Sequence, residues 1–107
     1  MTGKIKELDG DNFNAFVKSS DKTVVDFWAE WCGPCRIMAP VFDEVSEEMK
    51  DKAKFGKVDV DENSELTQRF QVMSIPTTII FRDGQQADRF VGVVSKEELI
   101  ERIKKAK

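Results

Sequence analysis

Apolar positions along this chain recur in two rhythms: short dense runs that suit strands, and spacings of three and four that suit one face of a helix. Lys4 to Leu8 predicts a short edge strand. Asp9-Gly10-Asp11 predicts a turn with Asp11 as helix N-cap, and Phe13, Phe16 and Val17 follow at helical spacing as far as Lys18. Ser19 to Lys22 reads as loop. Thr23-Val24-Val25-Asp26-Phe27-Trp28-Ala29 is β-rich and apolar on both faces, the pattern of a central strand covered on each side. From Cys35 onward, Met38, Val41, Phe42, Val45 and Met49 mark a long amphipathic helix. Pro40 lies inside it, where it is expected to kink the helix rather than end it.

Ala53 to Val60 predicts a second strand, and strand, helix, strand in that order implies a right-handed parallel crossover. Asn63 to Phe70 predicts a short helix capped by Asn63, with Leu66 and Phe70 turned inward; Val72 to Pro76 is a connection. Thr77-Thr78-Ile79-Ile80-Phe81, the Asp83-Gly84 turn and Ala87 to Val91 predict an antiparallel hairpin. Ser95-Lys96-Glu97-Glu98 matches a capping box, and Leu99, Ile100 and Ile103 place a last amphipathic helix against the sheet. The positive charge of Lys104-Lys105-Ala106-Lys107 suits the end of that helix. The sum is an α/β fold, a central mixed sheet of four or five strands with helices on both faces.

At 107 residues, 40% apolar and 35% charged, the chain is expected to form one domain over 1-107, large enough for a core without disulfide staples. A net charge of -3 with intermixed signs gives no reason to expect nucleic acid as a partner. Met1-Thr2-Gly3-Lys4-Ile5-Lys6 leads straight into charged sequence without the apolar run of a signal peptide, and nothing is long enough to span a membrane. The expectation is a cytoplasmic protein with no membrane partner; a mature form that has lost a leader is the alternative. The pattern holds no internal repeat or low-complexity stretch.

The chemistry concentrates in Trp28-Ala29-Glu30-Trp31-Cys32-Gly33-Pro34-Cys35-Arg36, which holds both cysteines of the protein. On a helix, residues at i and i+3 share a face, so the two sulfurs lie close enough to join or to part. As a staple the pair closes a ring worth roughly 2 kcal/mol on the chain-entropy account, against about 3 for a fifteen-residue loop. A closed zinc site wants four soft ligands, and two thiols without any histidine need two carboxylates to complete it. Thiol–disulfide exchange needs only a thiolate at a helix N-terminus, stabilised by unpaired N–H groups and the dipole. Exchange is therefore the preferred reading of the three.

Under that reading Cys32 is expected exposed, just ahead of the first helical turn, with a thiol that ionises more easily than a free cysteine; it is the attacking nucleophile. Cys35 lies one turn inside, where burial disfavours its thiolate, and suits the later resolving step. Gly33 lets a partner's backbone approach closely, and Pro34 presets a helical φ where its missing N–H costs little. The same Gly-Pro pair is also an ordinary turn signal.

Asp26 stands alone among Val24, Val25, Phe27 and Trp28, and a buried carboxylate is costly without a partner or a purpose. It is either a proton acceptor whose raised pKa matches the deprotonation of Cys35, or a strand-end residue that reaches solvent. The absence of histidine favours the acceptor. Lys57, within Phe55-Gly56-Lys57-Val58-Asp59-Val60, is the natural counter-charge, or else an exposed edge lysine. Core packing accounts for Trp28, whereas Trp31 beside the thiol suits a contact surface. Val91-Gly92-Val93 ends a strand at a glycine, and Ile75-Pro76-Thr77 marks either a strand start or a cis turn held near the thiols.

The assembled residues Trp31-Cys32-Gly33-Pro34-Cys35, Asp26, Trp28, Pro40, Lys57, Ile75-Pro76-Thr77, Gly84 and Gly92 closely resemble the thioredoxin family along the whole chain. A bare Cys-x-x-Cys beside a βαβ unit is weak ground, but Gly-Pro between the cysteines together with the later Ile-Pro is far more specific. The resemblance implies the thioredoxin fold, with Pro76 cis and facing the disulfide, and with Trp28, Pro40 and Gly84 as structural positions. It implies a partner's extended segment docking across Trp31, Gly33, Pro34, Ile75, Pro76 and Gly92.

By the same resemblance the function is general protein-disulfide reduction, carried by Cys32, Cys35, Asp26 and Lys57 in a monomer with no cofactor or metal. Its partners are disulfide-containing proteins and a flavin-containing, NADPH-dependent thioredoxin reductase; the chain itself has no dinucleotide fingerprint. Gly-Pro in place of a histidine-bearing pair implies the reducing direction, although oxidants and isomerases share the fold. Arg36 stands where lysine is common and Val93-Val94 where smaller residues are, which bears on the choice of partner. A reading of another class is an interaction module, whose apolar rim of Trp31, Pro34 and Pro76 grips a partner while the thiols are incidental.

Overall fold

The structure is a computed structural model that describes residues 5–106. Its elements in order are β1 (Ile5–Glu7), α1 (Phe13–Lys18), β2 (Lys22–Trp28), α2 (Gly33–Glu48), β3 (Lys54–Asp59), α3 (Ser64–Arg69), β4 (Thr77–Arg82), β5 (Gln85–Val91) and α4 (Lys96–Lys105). The strands make one five-stranded sheet in the order β1-β3-β2-β4-β5. β3 pairs in parallel with β1 and β2, while β4 runs antiparallel to β2 and to β5. The expected mixed sheet is present, with five strands.

Side chains alternate along a strand, so a central strand with apolar residues at nearly every position must be covered twice. Val24, Phe55, Ile80 and Phe90 meet Met38, Phe42, Val45 and Met49 from α2 and its end, and Leu99 and Ile103 of α4. On the other face Val25, Phe27, Val58, Ile79 and Phe81 meet Phe13, Phe16 and Val17 of α1 and Leu66 of α3. Phe70 closes that second layer, its ring centroid 5.1 Å from Phe13, 6.1 Å from Phe27 and 5.7 Å from Phe81. Tilted and edge-on aromatic contacts of this kind are worth about 0.5–1.5 kcal/mol each beyond the area they bury. Alternation also settles the direction of Asp26: two residues beyond Val24, it lies on the face that α2 covers, the face of the cysteines.

The hairpin turn has positive φ at both central residues, 54° at Asp83 and 86° at Gly84, the conformation an Asp-Gly pair favours. A Cβ on Gly84 would sit 3.2 Å from Lys18 Cγ. At the start of α4, Ser95 Oγ accepts the Glu98 N–H at 3.1 Å, half of the expected capping box. The Glu98 carboxylate turns instead toward Arg102, 3.7 Å away.

Several boundaries differ from expectation for local reasons. Asp11 does not cap α1; Asn12 holds that position without a side-chain cap bond, and Asp9 Oδ1 accepts the N–H groups of Asp11 and Asn12. Propensity treats these short polar side chains alike, and only the path of the turn distinguishes them. Asn63 does precede α3, but its amide donates to the Asp59 carbonyl at 3.0 Å rather than accepting a helical N–H. β5 begins at Gln85, ahead of its apolar residues, because ladder bonds next to a tight turn require no apolar side chain. The α2 helix begins at Gly33 and runs unbroken through Pro40. Lys4, placed in the first strand, and Lys107, placed at the end of the last helix, lie outside the described residues.

Candidate active site

β2 ends at Trp28 and α2 starts at Gly33, so the motif occupies a strand-to-helix junction. Cys32 is the N-cap of α2, extended at φ -89° and ψ 114°, and its Sγ accepts the Cys35 N–H at 3.2 Å. Pro34 sits in the first turn, where a helix leaves N–H groups without partners and a missing one is no loss. Cys32 and Cys35 are joined as a disulfide, with Cα atoms 5.2 Å apart.

The expectation that Cys32 is exposed is corrected by the structure: it is 4% accessible, as buried as Cys35. Both cysteines pack with Ala29 beneath Trp28, Val60 and Ile75. The N-cap conformation turns the sulfur back over the first helical turn, toward amide donors and away from solvent. What faces outward is Gly33, Pro34 and Trp31, the last 66% accessible.

A second segment comes against the sulfurs from the sheet. The Ile75–Pro76 peptide is cis, and the Ile75 carbonyl oxygen lies 3.7 Å from Cys32 Sγ. The Pro76 carbonyl accepts the Gly92 N–H at 2.8 Å, tying the start of β4 to the end of β5. Gly92 has φ 98°, a conformation in which any side chain is strained. Cys32, Ile75, Pro76 and Gly92 thus meet from three separate stretches of chain. Pro40 and Gly84 do not join them: one is exposed in the body of α2, the other lies in the hairpin turn at the opposite end of β4.

Asp26 is 3% accessible, and its Oδ1 has no hydrogen-bond partner among the described residues. Burial pushes its carboxyl up to about 7, with the nearby Lys57 charge pulling the other way. Lys57 is its register partner across β2 and β3, and Thr78 its partner across β4. The expected pairing is electrostatic rather than a contact: Lys57 Nζ lies over the Trp28 ring, 4.5 Å from the centroid. Asp26 and Cys35 line one cleft of about 120 Å³, together with Trp28, Ala29, Ala39 and Lys57. A larger cavity of about 570 Å³ between α1 and the end of α2 is lined by Phe16 and Phe55 and rimmed by Lys6, Lys50 and Lys54. Its hydroxyls, Ser19 and Ser46, donate to the Phe16 and Asp43 carbonyls, and it holds neither cysteine, so chemistry rather than size locates the site.

One contributor went unread in the sequence. Asp61 Oδ2 accepts the indole N–H of Trp31 at 2.7 Å and anchors this exposed ring. Its only signal was an acidic residue in the turn after β3, which many loops carry. Among the described residues no cluster of three or more His, Cys, Asp or Glu is placed to hold a metal ion. No helix among them is long and apolar enough to cross a membrane.

A mixed sheet that delivers a Cys-Gly-Pro-Cys disulfide to the first turn of a helix, facing a cis-proline loop, defines a dithiol–disulfide oxidoreductase. The chain belongs to the thioredoxin family, whose model, described as Thioredoxin, matches residues 4–105. It is 46% identical to a thioredoxin of Staphylococcus saprophyticus over 101 residues, 94% of this chain and 96% of that protein. A thioredoxin of Staphylococcus aureus is 47% identical over 97 residues, 91% of each chain. Among solved structures, a point mutant of thioredoxin from Halobacterium salinarum has a TM-score of 0.90 at 30% identity, covering 98% of this chain and 92% of that one. The thioredoxin of Malassezia sympodialis has a TM-score of 0.88 at 36% identity, with 97% and 91% covered.

Proposed function

We propose that this protein is a general protein-disulfide reductase in which Cys32 attacks and Cys35 resolves. The observation that carries it is Cys32 at the N-cap of the 16-residue helix α2, with its sulfur already accepting the Cys35 N–H. In the reduced protein the same amide and the positive end of the helix favour a thiolate at Cys32.

The Cys32 thiolate attacks one sulfur of the substrate disulfide, forming a mixed disulfide and expelling the other sulfur as a thiolate. Cys35 then loses its proton and attacks the Cys32 sulfur; the Cys32–substrate bond breaks and the second substrate thiol leaves. Two electrons pass from the dithiol to the substrate, and the protein ends as the Cys32–Cys35 disulfide. Asp26 accepts the Cys35 proton, directly or through water. The cleft the two residues share, and a carboxyl held at about 7, support that role. Lys57 keeps the acceptor from rising further. Trp31, Gly33, Pro34, Ile75, Pro76 and Gly92 form the docking surface for an extended segment of the substrate.

A separate NADPH-dependent thioredoxin reductase returns the disulfide to the dithiol. The protein works as a monomer, one domain over 1-107, in the reducing cytoplasm and without a cofactor of its own.

Reduction of insulin disulfides tests the proposal. The dithiol form accelerates the reaction, Cys32→Ser abolishes the acceleration, and Cys35→Ser accumulates a covalent mixed disulfide with insulin. Equal rates for wild type and Cys32→Ser would overturn the mechanism. A second reading draws on the exposed apolar residues Trp31, Ile37, Met73, Val91 and Val93: an interaction module, supported by partner binding that survives serine at both cysteine positions.

A further inference from the structure

We infer that Arg89 is a positioning residue for the loop from Val72 to Pro76 and sets how tightly protein substrates dock; the inference deepens the reductase reading and rests on it. The α3 helix ends in a Schellman turn, with the Gln71 N–H on the Gln68 carbonyl and the Val72 N–H on the Thr67 carbonyl, each at 3.0 Å. That turn puts Gln71 in the left-handed region at φ 52°, a place where glycine is usual. Glutamine adopts it against its own preference, so the turn depends on outside support.

The support comes from β5. Arg89 Nη1 donates to the Phe70 carbonyl at 2.6 Å, and Nη2 donates to the Gln71 carbonyl at 2.9 Å. Carbonyls at a helix end have no partner within the helix, and the planar fork of a guanidinium can hold two of them at once. Its positive charge also suits the negative end of the helix.

The chain then runs to Ile75, whose carbonyl oxygen lies against Cys32 Sγ at 3.7 Å, and to Pro76, held by the Gly92 N–H. Thr77 Oγ1 adds a bond to the Ser74 carbonyl at that same end. The loop is therefore fixed at two points, both supplied by β5 and its end: Arg89 before it and Gly92 after it. Between them packing is partial: Val72 and Ile75 rest half-buried on the core, while Met73 is 92% accessible. Loosening the Arg89 end frees the segment on which an extended substrate lies, without touching a sulfur.

Steady-state reduction of insulin by Arg89→Ala, Arg89→Lys and the double variant Arg89→Ala/Gln71→Gly tests this. The alanine variant should raise KM for insulin roughly fivefold with little change in kcat, the size expected when an unsupported left-handed residue relaxes. Its rate ratio between insulin and a small aromatic disulfide should fall by a similar factor. Lysine, which cannot span both carbonyls as a fork, should fall between, and Gln71→Gly should restore KM because glycine holds this φ without strain. A merely structural role would lower the melting temperature and leave the KM-to-kcat split unmoved. An unmoved KM, or a loss confined to kcat, would overturn the inference; if the alanine variant does not fold, the lysine variant is judged on the same split. A wild type inactive on insulin refutes the reductase reading itself, whereas an active wild type with insensitive Arg89 variants refutes only this step.

Discussion

Lys57 stands opposite Asp26 across β2 and β3, yet its ammonium rests over the Trp28 ring, 4.5 Å from the centroid, and not on the carboxylate. A contact ion pair would hold Asp26 ionised and leave it a feeble base; an apolar neighbour alone would drive it further up. Desolvation opposed by a charge at one remove leaves the carboxyl at about 7, where it can both accept and release a proton near neutrality.

Asp26 should therefore make stability depend on pH in the opposite sense to an ordinary paired carboxylate. Its folded pKa of about 7 lies above the ordinary 3.8, so the folded protein holds this proton more tightly than the unfolded chain does. Its contribution is full below about pH 4 and is lost as pH rises through about 7. The gap corresponds to ~4 kcal/mol, so Asp26→Asn should gain up to about that much on wild type between acid and alkaline pH. Urea unfolding at several pH values checks this; parallel profiles for the two proteins would refute it.

Replacing Lys57 by Gln removes the nearby positive charge that lowers the Asp26 pKa, so the midpoint should move above about 7. The carboxyl resonance followed by NMR through a pH titration reads it directly, and a downward movement would contradict the placement.

In the reaction, Asp26→Ala should slow the resolving step by about 10²-fold or more at neutral pH, the usual worth of a positioned base. The attack by Cys32 should be affected far less, because the Cys35 N–H on that sulfur belongs to the backbone. Single-turnover kinetics separate the two steps. Identical resolving rates would remove Asp26 from the mechanism.

Gly84→Ala forces a residue with Cβ into φ 86° and brings that atom to 3.2 Å from Lys18 Cγ. The left-handed conformation alone costs about 1–2 kcal/mol. Thermal unfolding should show a loss of that order; an unchanged midpoint would mean that the hairpin turn relaxes at no cost.

Much of this arrangement was legible in the residues because it is written in local periods. Val24, Val25 and Phe27 announce a strand covered on both faces, and Met38, Phe42 and Val45 announce the helix that covers one of them. The Cys-Gly-Pro-Cys spacing and a lone Asp26 in an apolar run already point to the chemistry. The residues alone left Pro76 between a strand start and a cis turn, and they placed Cys32 in solvent, where the fold buries it. Asp61, which holds the Trp31 indole, showed only as one more acidic turn residue, and Arg89 behind the α3 turn gave no local sign.

The elements, their covered faces and the identity of the reactive pair follow from the order of residues alone, since apolar period, turn chemistry and motif spacing are properties of neighbours along the chain. That Lys57 turns to Trp28, that Ile75 meets Cys32, and that Arg89 holds the Phe70 and Gln71 carbonyls emerges from the folded chain. Each of these joins residues far apart in sequence. Their energies depend on distance, burial and direction, quantities that exist only once the chain has closed on itself.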